Sequence, residues 1–234
     1  MDGFTYYNLF ETKGIEYIII IAFLLLIIPF WTMINRPLKL SGKIRKAFST
    51  LTASILRVPQ GVFFSDKHTW THLQKSGNAR VGIDDFLLHL TGDVNVSLDL
   101  EPGTMVSKGE VISVIDHEGK KLNVVSPISG EVTGINHDLN YELLQEDPYG
   151  RGWLLSIKPT DWKSETSSYH IASDATGWLG RELDRFRDFL AVSAGKYIHG
   201  SPAVYMQDGG ELVDHPLSSM PEEVWSDFEK EFLK

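Results

Sequence analysis

The feature that most limits what this chain can become is an uncharged run near its start, YIIIIAFLLLIIPFWTMI, residues 17 to 34. About 20 apolar residues in a helix cross the hydrocarbon of a bilayer, because a helix satisfies its own backbone polar groups there. A cleavable leader fits poorly. The preceding MDGFTYYNLFETKGIE has no basic region, and no small-x-small site follows. Tyr17 and Trp31 suit the interface, and Pro29 falls near the helix end. The expectation is therefore a short N-terminus over 1–16 and a permanent transmembrane helix over 17–35. Arg36, Lys39, Lys43, Arg45 and Lys46 follow the run, whereas only Lys13 precedes it, among Asp2, Glu11 and Glu16. The positive-inside rule then places the N-terminus outside the cell (inner) membrane and the soluble part in the cytoplasm. Residues 36–58 read as a basic juxtamembrane helix or linker, with Ile44, Phe48, Leu51 and Ile55 on one helical face. That face suits either an anionic membrane surface or the soluble domain.

The formal net charge of −9 argues against nucleic acid, which wants a basic face. With no cysteine, disulfides, iron–sulfur clusters and thiolate zinc sites are excluded. His68 and His72 can share one strand face through Trp70, but two histidines without a third ligand do not define a metal centre. No Gly-rich phosphate loop or nucleophile–base signature is found, so no catalytic residue is assigned and the chain does not read as an enzyme.

Beyond Pro59 the pattern turns to short strands and turns. GVFFSDKHTWTHLQKSGNARVGI gives two strands around Ser76-Gly77-Asn78. DDFLLHLTG gives a brief helix, with Asp84 and Asp85 against its dipole and Gly92 at its end. DVNVSLDL and EPGTMVSKGEVISVID supply further strands, His117-Glu118-Gly119-Lys120 a hairpin tip, and KLNVVSPISGEVTGI and GWLLSIKP the remaining strands. Strands at this spacing indicate a small barrel or sandwich over 59–160.

The extension over 161–234 opens with a polar stretch, 160 to 176, read as a linker or wrap. A helix follows with Leu179, Leu183, Phe186 and Leu190 on one face, then a small hairpin around Asp208-Gly209-Gly210. The last helix shows Ser219 and Glu222 spaced as a capping box and an apolar stripe of Trp225, Phe228 and Phe232. That stripe needs something to bury against, and a partner-subunit groove is the expected contact, with the chain's own domain as the alternative.

The pieces FSDKHTW, VGIDDFLLHLTGDV, VSKGEVISVI, SPISGEV and INHDLNYELLQEDPYGRGWLLSIKP, in this order, resemble the H protein of the glycine cleavage system, a lipoyl carrier. The resemblance covers Val62 to about Pro159, and the anchor and the region after Thr160 have no counterpart in it. It implies a mainly β barrel-sandwich hybrid, here joined to a transmembrane helix and a C-terminal α-rich extension. In the family a lysine at a β-hairpin tip, in a sequence like V-E-S-V-K-A, carries lipoate. Counting back from Ser126-Pro127 and forward from Gly109-Glu110 puts that position on Gly119, with Lys120 and Lys121 one and two places late. Gly119 offers no amine, and a one-residue slip re-aims a side chain across the hairpin. The expectation is a domain without cofactor, serving as a non-catalytic accessory or assembly subunit among the proteins of a membrane complex. The alternative is a membrane-tethered carrier with lipoate on Lys120.

Overall fold

The computed structural model describes residues 9–34, 50–197 and 212–234. They belong to two units, 1–45 and 46–234. In the first, the apolar run sits within a single helix, α1 (Leu9–Ile34), that continues through Pro29. Its described side chains, 17–31, are exposed throughout. Among the described residues no helix is long and apolar enough to cross a membrane. Ile44 and Phe48, expected on a basic helix, lie outside the described residues.

In the second unit, β-branched and aromatic residues alternate along short strands that bury one face. The strands are β1 (Thr50–Leu51), β2 (Phe63–Phe64), β3 (Thr69–Leu73), β4 (Ala79–Ile83), β5 (Asn95–Ser97), β6 (Met105–Val106), β7 (Val111–His117), β8 (Lys120–Val125), β9 (Gly130–Ile135), β10 (Leu155–Pro159), β11 (His170–Ile171) and β12 (Leu212–Val213). One sheet has the order β11-β2-β3-β4-β10-β9-β6, a second β5-β7-β8, and β1 pairs with β12. Trp70, Val81, Ile83, Ile115, Leu122, Val132, Leu155 and Ile157 are fully buried. This is the expected mainly β barrel-sandwich, followed by C-terminal helices.

The brief helix forms as expected, as α2 (Asp85–Thr91). Asp84 caps it by accepting from the Leu87 N–H at 2.9 Å. Asp85 does more than oppose the dipole: its carboxylate receives Arg57 Nη2 at 2.8 Å, Nε at 3.2 Å and the Arg57 N–H at 2.9 Å. The DPYGRGW stretch closes a turn after α3 (Tyr141–Glu146), with Asp147 accepting from Gly150 and Arg151 N–H. Tyr149 is thereby set against Phe64 and Trp70, and its hydroxyl accepts from the Asp85 N–H at 2.9 Å.

The extension differs from its sequence reading in three places. The polar stretch contains α4 (Trp162–Thr166), capped by Asp161, and β11, which pairs with β2. β11 then runs into α5 (Ala172–Tyr197). These elements depend on partners a hundred residues away, so no local periodicity announces them. Leu51, expected on a helical face, is fully buried in β1, and its partner strand β12 follows residues 208–210, which lie outside the described residues. The capping box does not form. The last helix, α6 (Glu222–Phe228), is preceded by Pro221, and the Ser219 hydroxyl instead donates to the Pro216 carbonyl at 3.3 Å, within a 3-10 turn over Pro216–Ser219.

Where barrel and extension meet lies His68. It is fully buried, in left-handed backbone (φ 56°), with its Nδ1 2.8 Å from Asp84 Oδ2. Its Nε2 stands 3.6 Å from Glu182 of α5, too long for a hydrogen bond but close enough for charge attraction. The ring stacks on Phe86 at 4.5 Å and Trp178 at 5.3 Å. Burial alone would lower its pKa, but the charge and hydrogen bond of Asp84, then Glu182, outweigh that and raise it to about 9. A folded pKa above the unfolded 6.5 favours the folded state fully below pH 6.5 and progressively less as pH rises through 9. Stability should therefore fall over that window by up to about 3 kcal/mol. Urea melts at successive pH values should show this fall, and His68→Gln should flatten it.

Candidate functional site

The hairpin of β7 and β8 turns through Glu118 (φ 53°) and Gly119 (φ 90°), with His117 opposite Lys120. Two consecutive left-handed residues make the tight turn whose twist matches paired strands, and glycine takes the second place without steric cost. Asp116 Oδ1 accepts from the Gly119 N–H at 3.1 Å. Glu118 and Gly119 are exposed, and no atom lies within 4 Å of where a Cβ on Gly119 would stand. The tip forms where the sequence placed it.

Lys120 is the first residue of β8, and its side chain is only half-buried. Its Nζ donates to the Ser218 carbonyl at 2.7 Å and to the Met220 carbonyl at 3.1 Å, and stands 5.3 Å from the centre of the Trp225 ring. Burial lowers the pKa of this amine, against the opposing pull of Glu118. On the facing strand His117 stacks on the same indole, 5.8 Å away and tilted by 9°. The indole N–H donates to the Leu217 carbonyl at 2.8 Å. Farther along β8, Asn123 Nδ2 donates to Glu229 at 2.8 Å. The segment from Pro216 to Leu233 thus forms a cap along one side of the hairpin. Lys121 pairs with Asp116 in the strand register and is exposed.

The cap changes the reading of the aromatic stripe. Trp225, Phe228 and Phe232 are 1%, 0% and 1% exposed, so they are not presented to a partner; they pack into the chain's own core. Phe228 and Phe232 stack at 4.7 Å and meet Phe186 and Phe189 of α5 edge-on at 5.6 to 6.1 Å. The stripe was legible in the sequence, but its occupant was not, because α5 and β8 are remote along the chain. His68 and His72 do not converge either: His68 is committed to Asp84 and Glu182, and His72 is half-buried on β3. The bonds from Lys120 to the cap were not foreseen, since backbone carbonyls leave no mark in a sequence.

Sheet order, capped hairpin and the DPYGRGW turn define a lipoyl-type barrel-sandwich domain with a C-terminal cap. The glycine cleavage H-protein family model matches residues 62–177. The glycine cleavage system H protein of Mycobacterium avium is 30% identical over 125 residues, covering 53% of this chain and 95% of that one. That of Thermus thermophilus is 35% identical over 107 residues, covering 44% and 82%. The probable H protein of Pyrococcus abyssi is 33% identical over 111 residues, covering 47% and 82%. A crystal structure of an H protein from Mycobacterium marinum aligns with TM-score 0.46 and 27% identity over 53% of this chain and 99% of that one. The chain belongs to the glycine cleavage H-protein family. Members of this family are lipoyl carriers rather than catalysts themselves.

Replacing a large, fully packed aromatic by alanine costs about 3–5 kcal/mol. Trp225→Ala should lower stability by that order, with barrel and cap still melting in one transition. An unchanged barrel transition, followed by tryptophan fluorescence and far-UV circular dichroism, would show that the cap is a separate unit.

Proposed function

We propose that this chain is a single-pass membrane protein whose H-protein-like domain works without carrier chemistry, as a non-catalytic accessory or assembly subunit of a membrane complex. The observation that carries the reading is the state of the Lys120 amine. A swinging arm needs an amine free at the tip, where the count from both flanking motifs meets Gly119. Lys120 is one residue past the tip, and its ammonium donates to Ser218 and Met220 carbonyls in the cap. An amide at Nζ keeps a single N–H, so acylation would remove the charge and leave at least one of those carbonyls without its donor. The appended arm would also have to displace the cap from around Trp225.

The anchor rests on the uncharged run 17–34 and on α1, which at 1.5 Å per residue spans about 39 Å over its 26 residues. As a helix, the uncharged run would be apolar on every side, with no polar face to give to water. The basic flank after the run favours a soluble domain on the cytoplasmic side.

Intact-mass spectrometry of the protein from its native host tests the first part. The expected mass is that of the chain without a lipoyl adduct. An adduct that disappears in Lys120→Ala would establish a tethered carrier instead. For the second part, protease added outside intact cells should leave residues 50–234 uncut and the chain should stay with the membranes on alkaline washing. Cleavage from outside would reverse the orientation, and release on washing would remove the anchor.

A further inference from the structure

Away from the hairpin turn, His89 in the last turn of α2 faces Asp214 and His215, which follow β12. We propose that these three side chains bind one divalent transition-metal ion of the zinc type, which clasps the C-terminal cap to the barrel. The proposal stands independently of whether the domain carries lipoate.

His89 Nδ1 lies 2.8 Å from Asp214 Oδ1, and His215 Nε2 lies 3.6 Å from Asp214 Oδ2. One donor atom from each residue falls within 4.8 Å of the other two. Zinc sits about 2.0–2.1 Å from nitrogen and oxygen ligands, which puts tetrahedral donors about 3.3 Å apart. The two short spacings, which run to different oxygens of Asp214, lie on either side of that value. Two imidazoles and one carboxylate suit zinc and its neighbours rather than calcium or magnesium, which prefer all-oxygen shells. The side chains keep 17%, 8% and 16% of their surface exposed, so the cluster is in contact with solvent.

The backbone independently holds this arrangement. His215 adopts left-handed φ and ψ of 60° and 48°, a strained state for a side-chain-bearing residue, and its N–H donates to the His89 carbonyl at 2.8 Å. The two imidazoles lie side by side, 6.5 Å apart and tilted by 26°. Gly92 makes the space: a Cβ there would stand 3.0 Å from His215 Cβ and Cγ. The other face of His89 meets Asp85 Oδ1 at 3.8 Å, and Arg57 fixes that carboxylate. A carboxylate behind a ligating imidazole is the usual way of orienting it. His215 directly precedes the turn whose Ser218 carbonyl holds Lys120, so an ion here would pin the cap over the hairpin.

Full-length protein, produced without a histidine tag and stripped with chelator, should be titrated with Co2+ and then Zn2+. One equivalent of Co2+ should bring up visible d–d absorption that Zn2+ abolishes, and Zn2+ should raise the melting temperature. Asp214→Asn and His215→Asn should each weaken Co2+ binding at least tenfold and lose the thermal shift; asparagine tolerates the left-handed backbone at 215. If either variant fails to melt cooperatively, His89→Gln takes its place. Absence of stoichiometric binding by the wild type, leaving a plain His–Asp pair, would overturn the proposal. So would binding unchanged in the folded variants.

Discussion

The contact on which the second unit depends is the buried pair of His68 and Asp84, with Glu182 across the ring. An imidazolium removed from water is costly unless charges of opposite sign meet it, and here they come from two separate parts of the chain. Asp84 belongs to the barrel and also caps α2, while Glu182 belongs to the extension. Phe86, Trp178 and Phe232 surround the ring, so the charge sits inside the seam it joins. Displacing α5 would leave His68 without Glu182 and Trp178, and the terminal aromatics without their shelf. Barrel and extension therefore stand or fall together.

That coupling decides what the hairpin can do. With α5 fixed, Phe186 and Phe189 hold Phe228 and Phe232, and these set Trp225 against β7 and β8. The indole then presents the Leu217–Met220 backbone to Lys120. A hairpin with a free tip can offer a side chain to other enzymes. Here one flank of it has become part of a packed interface, and the nearest amine is a structural donor. The family fold is kept, and Glu118, Gly119 and Lys121 remain exposed at the turn.

Much of the barrel was legible because its signals are local. Alternating apolar residues mark strands, Asp84 and Gly92 bracket a helix, and His117-Glu118-Gly119-Lys120 specifies a two-residue turn. The amphipathic face of α5 was equally plain. What stayed hidden depends on distance in sequence: β11 pairing with β2, Leu51 pairing with Leu212, and Asn123 meeting Glu229. The aromatic stripe of α6 was visible as a need for burial, but the same stripe serves a neighbouring subunit or its own core equally well. Ser219 shows the opposite failure, a correct spacing overruled because Pro221 and the preceding 3-10 turn fix the helix start two residues later.

The most direct measurement of the account is the reactivity of the Lys120 amine in the folded, full-length protein. Pulse labelling with an amine-acylating reagent, read peptide by peptide and compared with the unfolded chain, should find Lys120 strongly protected while Lys121 labels nearly as in the unfolded state. Equal labelling of the two lysines would mean that the amine is free, that the cap does not hold the hairpin, and that the carrier chemistry of the family remains open to this chain.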